Sequence, residues 1–502
     1  MGEGSRNQST DDLVENLISD RSIVRGNTVL CERSGAGTTH ITTTGGSMTA
    51  TLTTTDTMTV PGTRPRLTVL GTGYLGATHA ICMAVLGYEV LGVDTDEAKI
   101  AALASGQVPF YEPGLPEMLR KALDSGRLSF TTDLSQAAEF GDVHFVCVGT
   151  PQAAGSPAAD LRYVEGVVRD LAPHLRRRCL LVGKSTVPVG TAARLTKMVQ
   201  DIAPAGTDVE LAWNPEFLRE GFAVEDTMNP DRLVFGVASD WAGEQLAEVF
   251  APLLENGVPV VTMDLPTAEL VKVAANSFLA TKISYINAMA EVCEATNADV
   301  QLLAKALSMD DRIGGRFLQP GLGFGGGCLP KDIRAFVHRC EELGVGRSVA
   351  FLRQVDAINQ RRRERTVDLV REQAGGDLRG VQVCALGAAF KPNSDDIRDA
   401  PALDVARMLQ REGAVVRIYD PEAMDNARRA YPDLHYAENV MEAAMGARVV
   451  VLLTEWQQFR AIDPQRFGQV VASRSIVDGR HALDPEAWRS AGWTYRALGR
   501  TS

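Results

Sequence analysis

Leu67-Thr68-Val69-Leu70-Gly71-Thr72-Gly73-Tyr74-Leu75-Gly76 is the stretch from which the fold of this chain is read. A short strand-forming run leads into three glycines at fixed offsets and then into residues with helical spacing. In such a strand–turn–helix unit Gly71 permits the tight turn and Gly73 lets the backbone approach a pyrophosphate. Gly76 lets helix and strand pack closely, and the helix N-terminus faces the phosphate charge. The hexapeptide alone is a weak signal. Here Asp94 ends the next strand-like run, where a carboxylate accepts hydrogen bonds from a ribose diol and repels a 2′-phosphate. Together they predict a dinucleotide site for NAD rather than NADP, built from Gly71, Thr72, Gly73, Tyr74, Leu75, Gly76 and Asp94.

Outward from this turn, short apolar runs alternate with helical periodicity, the pattern of a parallel sheet wrapped by helices. Strands are predicted at 67–70, 90–93, 128–131, 143–148, 180–183, 210–213, 233–237 and 259–262. A long helix is predicted over 267–296, where Leu279, Ile283, Ile286, Ala290 and Cys293 follow three-and-four spacing. The strand pattern restarts at 381–386, 415–419, 449–453 and 475–477. The expected class is therefore α/β, with two Rossmann-like doubly wound lobes joined by a central helical domain containing one long helix. Expected boundaries are 65–263, 264–372 and 373–502. Residues 1–64 are Thr- and Gly-rich with few large apolar side chains, so they are expected to be disordered.

Bulk composition narrows the function. A formal charge of −12 argues against non-specific nucleic-acid binding, although a few placed cations still suffice for an anionic small molecule. The eight cysteines form no CxxC pair, so neither a zinc site nor a disulfide framework is expected, and a metal is assigned no residues. No apolar run reaches membrane-spanning length and no signal pattern opens the chain. A cytoplasmic protein with reduced thiols is expected.

The second informative segment is Gly321-Leu322-Gly323-Phe324-Gly325-Gly326-Gly327-Cys328-Leu329-Pro330-Lys331-Asp332. So many glycines suggest backbone approaching a ligand, and Pro330 suits the first turn of a helix. That places Cys328 near a helix N-terminus, where the dipole and Lys331 favour thiolate while Asp332 opposes it. Three further groupings draw attention. Asn214-Pro215-Glu216-Phe217-Leu218-Arg219-Glu220-Gly221 carries two carboxylates after a strand. Lys272 and Asn276 share one face of the long helix. Lys184-Ser185-Thr186 follows another strand, where such sheets place ligand contacts.

The segments 71–76, 214–221, 323–332, 387–391 and Asp478-Gly479-Arg480 stand in one order. In them the chain resembles the UDP-glucose/GDP-mannose dehydrogenase family over about 66–500, and most nearly its UDP-glucose-oxidising members. The resemblance implies an NAD-dependent, four-electron oxidation of UDP-glucose at C6 to UDP-glucuronate. GDP-mannose, UDP-N-acetylglucosamine and UDP-N-acetylmannosamine stay open as alternative substrates. Two hydrides pass to two NAD molecules, with a thiohemiacetal and then a thioester on Cys328. By the same resemblance Lys272 stabilises the oxyanion at O6 and Asn276 holds the same region. Asp332 and Thr186 position water, and Glu216 is the base of thioester hydrolysis. Lys99, Thr150, Ser185, Glu220 and Arg398 would contact cofactor. Phe217, Leu218, Arg219, Arg312, Phe317, Leu318, Gly321, Gly323, Phe390, Lys391 and Arg480 would contact substrate, Lys391 and Arg480 facing the diphosphate. Arg312 and Arg398 would act across a subunit boundary, which implies a homodimer or larger homo-oligomer. A departure is Gly149, where members often carry another residue. A two-electron β-hydroxyacid dehydrogenase shares the first lobe and helical centre but needs neither Cys328 nor a second lobe.

Overall fold

The computed structural model describes residues 29–34, 38–43 and 64–500, and divides the chain into two units, 1–63 and 64–502. In the first, β1 (Val29–Ser34) and β2 (Thr38–Thr43) pair antiparallel. Both runs fall within 1–64, the stretch expected from its composition to be disordered. The rest of that expectation lies outside the described residues.

The second unit opens with an eight-stranded sheet. Its strands are β3 (Leu67–Leu70), β4 (Val90–Val93), β5 (Leu128–Thr131), β6 (Val143–Val146), β7 (Cys179–Gly183), β8 (Val209–Trp213), β9 (Leu233–Gly236) and β10 (Val260–Met263), in the order β10-β9-β8-β7-β6-β3-β4-β5. Every pairing is parallel except β8 with β9, which meet antiparallel at Trp213 and Gly236. Helices cover both faces, which is why β3, β4, β6, β7 and β9 are wholly buried and mostly apolar, with buried Thr68 and His144 bonded to each other across β3 and β6. The order in which strands are laid down reverses between β3 and β6, the crevice where doubly wound sheets bind ligands.

A second sheet contains β11 (Gln382–Leu386), β12 (Val415–Tyr419), β13 (His435–Tyr436), β14 (Val449–Leu452), β15 (Ser475–Asp478) and β16 (Thr494–Ala497). All its pairings are parallel and its order, β13-β12-β11-β14-β15-β16, repeats the doubly wound scheme. The expected class is therefore the observed one. The sequence pattern missed β13, which has only two residues, and β16, whose Thr-Tyr-Arg-Ala run has one exposed and one half-buried polar residue on a sheet edge.

Four helices position the site. The first, α1 (Tyr74–Val85), follows the glycine turn. The long helix α2 (Leu265–Thr296) starts at Asp264, whose side chain accepts the Thr267 amide, and stops at Asn297 in the left-handed region. Cys328 caps α3 (Leu329–Glu342), with Pro330 in its first turn, and α4 (Phe351–Ala374) runs on towards the second sheet. Ala280, Phe324, Ile333, Val337, Leu352 and Val355 bind α2, α3 and α4 into one small core.

The glycine turn has the geometry its spacing predicts. Gly71 has φ +91°, and a Cβ on Gly76 would lie 1.8 Å from the Gly71 carbonyl oxygen. Gly76→Ala is therefore expected to destabilise the protein by about 1–3 kcal/mol, the range for overpacking. A lowered thermal unfolding midpoint checks it, and an unchanged one refutes the close packing.

Candidate active site

The largest cavity, about 510 Å³, is lined by the 214–220 loop after β8, one face of α2, the Gly325–Leu329 segment and Phe390-Lys391 from the second sheet. Its size suits a small-molecule site. Loops after strands build two of its walls because helix-wrapped sheets leave only their strand ends open.

Cys328 lies on this cavity wall, and it alone is exposed among the seven described cysteines, all of them free. Close by, the buried Lys272 ammonium faces Glu216, Nζ to Oε1 3.2 Å. One turn along α2, the Asn276 amide donates to Asp332 Oδ2 at 2.7 Å, and Lys331 Nζ donates to Asp332 Oδ1 at 2.5 Å. Glu216 also accepts the Leu218 amide at 2.6 Å, which folds the loop back on itself. Thr186 sits on the other side of Asp332. There Thr150, Thr186, Lys331 and Asp332 line a smaller cavity, and the Thr150 hydroxyl donates to the Thr186 carbonyl at 2.8 Å.

Electrostatics follow from this packing. Burial, then the Asp332 charge, pushes the Cys328 thiol up to about 11, against the pull of Lys272. The expected thiolate bias is thus corrected: Lys331 is occupied by Asp332, and the sulfur stands deep among protein groups although the cavity reaches it. Burial pulls Lys272 down, but Glu216, Cys328 and Asp332 outweigh it and leave the ammonium above its ordinary value. Burial, then Asp396, raises Glu220 to about 7, while Ser394 and Arg398 bond it at 3.1 and 3.2 Å. Seven lysines and arginines against four carboxylates line the large cavity, so it is locally positive in a chain of net charge −12.

At the glycine turn, nothing lies within 4 Å of a Cβ built on Gly73, and no side chain caps α1. That leaves amide donors and room for a phosphate group. Asp94 accepts the Thr72 amide at 2.8 Å and Lys99 Nζ at 2.9 Å. Burial works against it, yet Lys99 and these amides hold the carboxyl below its usual range. The Ser185 hydroxyl donates to the Val148 carbonyl at 2.6 Å. These residues fit a dinucleotide.

Other sequence-predicted residues divide. Phe217, Leu218, Arg219, Glu220, Phe317, Phe390 and Lys391 reach the large cavity. Leu318 is core, and Gly321 and Gly323 pack against Gly479 and Asn359 instead of lining the cavity. Arg480 donates to the carbonyls of Leu453, Gly323 and Phe390 at 2.8, 2.9 and 3.2 Å. It therefore ties loops together instead of presenting a free charge to a diphosphate, because a buried guanidinium must find acceptors. Arg398 lies within its own chain against Gly327, while Arg312 is exposed and bonded to Asp310. Sequence reasoning missed Arg232, Lys282 and Arg316 on the cavity wall. Lys282 was findable: it continues the 272-276-279 stripe of α2 at helical spacing.

Two doubly wound sheets that flank a thiol, a buried ammonium and two carboxylates define an NAD-dependent dehydrogenase of nucleotide-linked sugars. Family models agree. The UDP-glucose/GDP-mannose dehydrogenase NAD-binding domain matches residues 65–254, the central domain 266–361 and the UDP-binding domain 384–485. The UDP-glucose 6-dehydrogenase of Rhizobium meliloti is 42% identical over 87% of this chain and 99% of its own. That of Pseudomonas aeruginosa is 40% identical over 87% and 97%. The solved UDP-glucose dehydrogenase of Pyrobaculum islandicum is 38% identical, covers 88% of this chain and 99% of its own, and superposes with a TM-score of 0.81. The UDP-D-ManNAc dehydrogenase structure from Pyrococcus horikoshii is 25% identical over 87% and 99%, with a TM-score of 0.76. The chain belongs to the UDP-glucose/GDP-mannose dehydrogenase family, and its cofactor is NAD.

With the thiol at about 11, the thiolate fraction rises tenfold per pH unit below that value. Iodoacetamide labelling of Cys328 in the free protein is expected to accelerate about tenfold per unit from pH 7 to 10. A plateau already at pH 8, read by peptide mass, would show instead a thiol activated at rest.

Proposed function

We propose that the chain oxidises UDP-glucose at C6 to UDP-glucuronate, through a thiohemiacetal and a thioester on Cys328. The observation that carries this is the one exposed cysteine among the described residues, set on a positive cavity that also holds the Lys272–Glu216 pair, with Asp332 bonded to Asn276 behind it. UDP-glucose is preferred over the other sugars because relatives bearing that substrate in their names share about 40% of residues, while the N-acetylmannosamine enzyme shares 25%.

Bound NAD supplies the hydride acceptor for both oxidations, held by the 71–76 turn, Asp94, Lys99, Thr150, Ser185, Glu220 and Arg398. Lys272 steadies negative charge on O6 as the alcohol loses its proton. The Cys328 sulfur then bonds to C6 of the aldehyde, the carbonyl electron pair moves to O6 and takes up the thiol proton, and Lys272 steadies the negative charge that develops on that oxygen in between. Once that carbon is at the thioester level, water adds to it and gives a proton to Glu216. The C–S bond breaks, and the sulfur leaves as thiolate. Asn276 orients Asp332, which with Thr186 places the water. Lys391, Arg219 and the cations sequence reasoning missed face the diphosphate, with Phe217, Leu218 and Phe317 beside the sugar and base.

The three matched family models support a division into an NAD domain at 65–263, a helical domain at 264–372 and a UDP-sugar domain at 373–502. The free thiols suit a cytoplasmic setting, and no helix among the described residues is long and apolar enough to cross a membrane. A homodimer is proposed through α2, which leaves Phe278, Tyr285 and Val292 exposed at seven-residue intervals, one face of a helix. Arg312, exposed beyond the next helix, suits a role in a partner's site.

Incubation with NAD and each nucleotide sugar tests the substrate. Two NADH per UDP-glucose, with a carboxylate product identified by mass, are expected; no NADH from UDP-glucose refutes the proposal. Cys328→Ser should lower turnover by about a thousandfold or more, and near-normal turnover would remove Cys328 as nucleophile. Tyr285→Glu is expected to halve the sedimentation mass, and an unchanged mass would place the contact elsewhere.

A further inference from the structure

The loop that carries Glu216 and Glu220 into the cavity is held at its far end by a residue outside every sequence motif. Glu112, just before the helix Leu115–Asp124, is only 3% exposed. Its Oε1 accepts the Ala223 amide at 2.7 Å. Its Oε2 accepts the Gly221 amide at 2.7 Å and the Tyr74 hydroxyl. The Gly221 amide also lies 2.9 Å from the Tyr74 oxygen, which closes a triangle of three groups.

The three groups come from different places. Tyr74 opens α1 and follows Gly73, the glycine with open space where a phosphate would approach. Gly221 directly follows Glu220. It has φ +78°, and a Cβ there would fall 2.4 Å from the Asn393 carbonyl oxygen, in the loop that also bears Phe390 and Lys391. One buried carboxylate thus joins the cofactor turn to the loop lining the sugar side. Hydrogen bonds to an ionised acceptor are roughly twice as strong as neutral ones, and losing this acceptor would leave buried N–H groups unpaired.

We propose that Glu112 is a positioning residue. Through Tyr74 it ties the glycine turn to the 214–221 loop, so that NAD at the turn stiffens the loop bearing Glu216 and Glu220 before any sugar arrives. The inference needs NAD at the turn and no choice of sugar.

Tyr74→Phe deletes only the link to the cofactor turn. Glu112→Gln keeps the size of the side chain but turns one acceptor into a donor facing N–H or O–H. Hydrogen–deuterium exchange of peptides spanning 71–76 and 216–223, with and without NAD and with no sugar present, reads the coupling. In the wild type, NAD is expected to slow exchange at both segments, by about tenfold at 216–223. In Tyr74→Phe it should still protect 71–76, but the slowing at 216–223 should fall below about twofold, and Glu112→Gln should match it. A merely structural role would raise exchange of 216–223 in both states and leave their ratio unchanged. An equal ratio in Tyr74→Phe and wild type, or no slowing at 216–223 in the wild type, overturns the proposal even if Glu112→Gln fails to fold. Absence of protection at 71–76 in the wild type would overturn it by removing NAD from the turn itself, whatever sugar the enzyme takes.

Discussion

A buried ammonium organises this molecule. Taking a charge the size of Lys272 out of water costs several kcal/mol even after relaxation, and an opposite charge must stand close to offset it. Glu216 does so at 3.2 Å, and it can do so only if the loop after β8 lies across α2. That loop is held at its start by Asn214, which accepts from Lys184 and donates to the Val234 carbonyl. The same turn of α2 presents Asn276 to Asp332, which fixes α3 and thereby the Cys328 cap at its first turn. One costly charge therefore demands that three otherwise separate segments converge, and the cavity is the space they leave.

What sequence reveals depends on whether a residue acts through backbone or through distant partners. The roles of Gly71, Gly73 and Gly76 are steric and local, so spacing alone predicted a positive φ, an open approach and a close contact, and the structure has all three. Most strand positions were legible too, because strands buried on both faces are written as short, mainly apolar runs. The ionisation of Cys328 was not legible. Among chain neighbours Lys331 favours thiolate and Asp332 opposes it; only the fold reveals that Lys331 turns to Asp332 and that burial is the largest influence on the thiol. Arg480 is similar. Its motif marks it as important, yet only the fold reveals that three carbonyls from different loops take up its donors.

Charge distribution separates the whole from the site. A net charge of −12 keeps the surface acidic, while the cavity collects seven cations against four carboxylates. An anionic ligand is repelled in general and attracted in one place, which favours the cleft over the rest of the surface. The cations are also spread along the cavity: Lys272 lies at the thiol end, Lys282 farther along α2, and Arg316 with Phe317 in the loop beyond the next helix.

The resting thiol then acquires a physical rationale. In the free cavity Cys328, Glu216 and Asp332 all stand within reach of the field of one ammonium, and the two carboxylates already share it directly or through Asn276. Burial and the Asp332 charge outweigh the pull of Lys272 and Lys331 on the sulfur, which therefore keeps its proton. In the proposed reaction the thiol proton passes to O6 as the aldehyde carbon accepts the sulfur, so the negative charge develops on an oxygen beside Lys272 and no free thiolate has to form. The arrangement that keeps the cysteine quiet at rest is thus the same one that makes its addition to the substrate favourable.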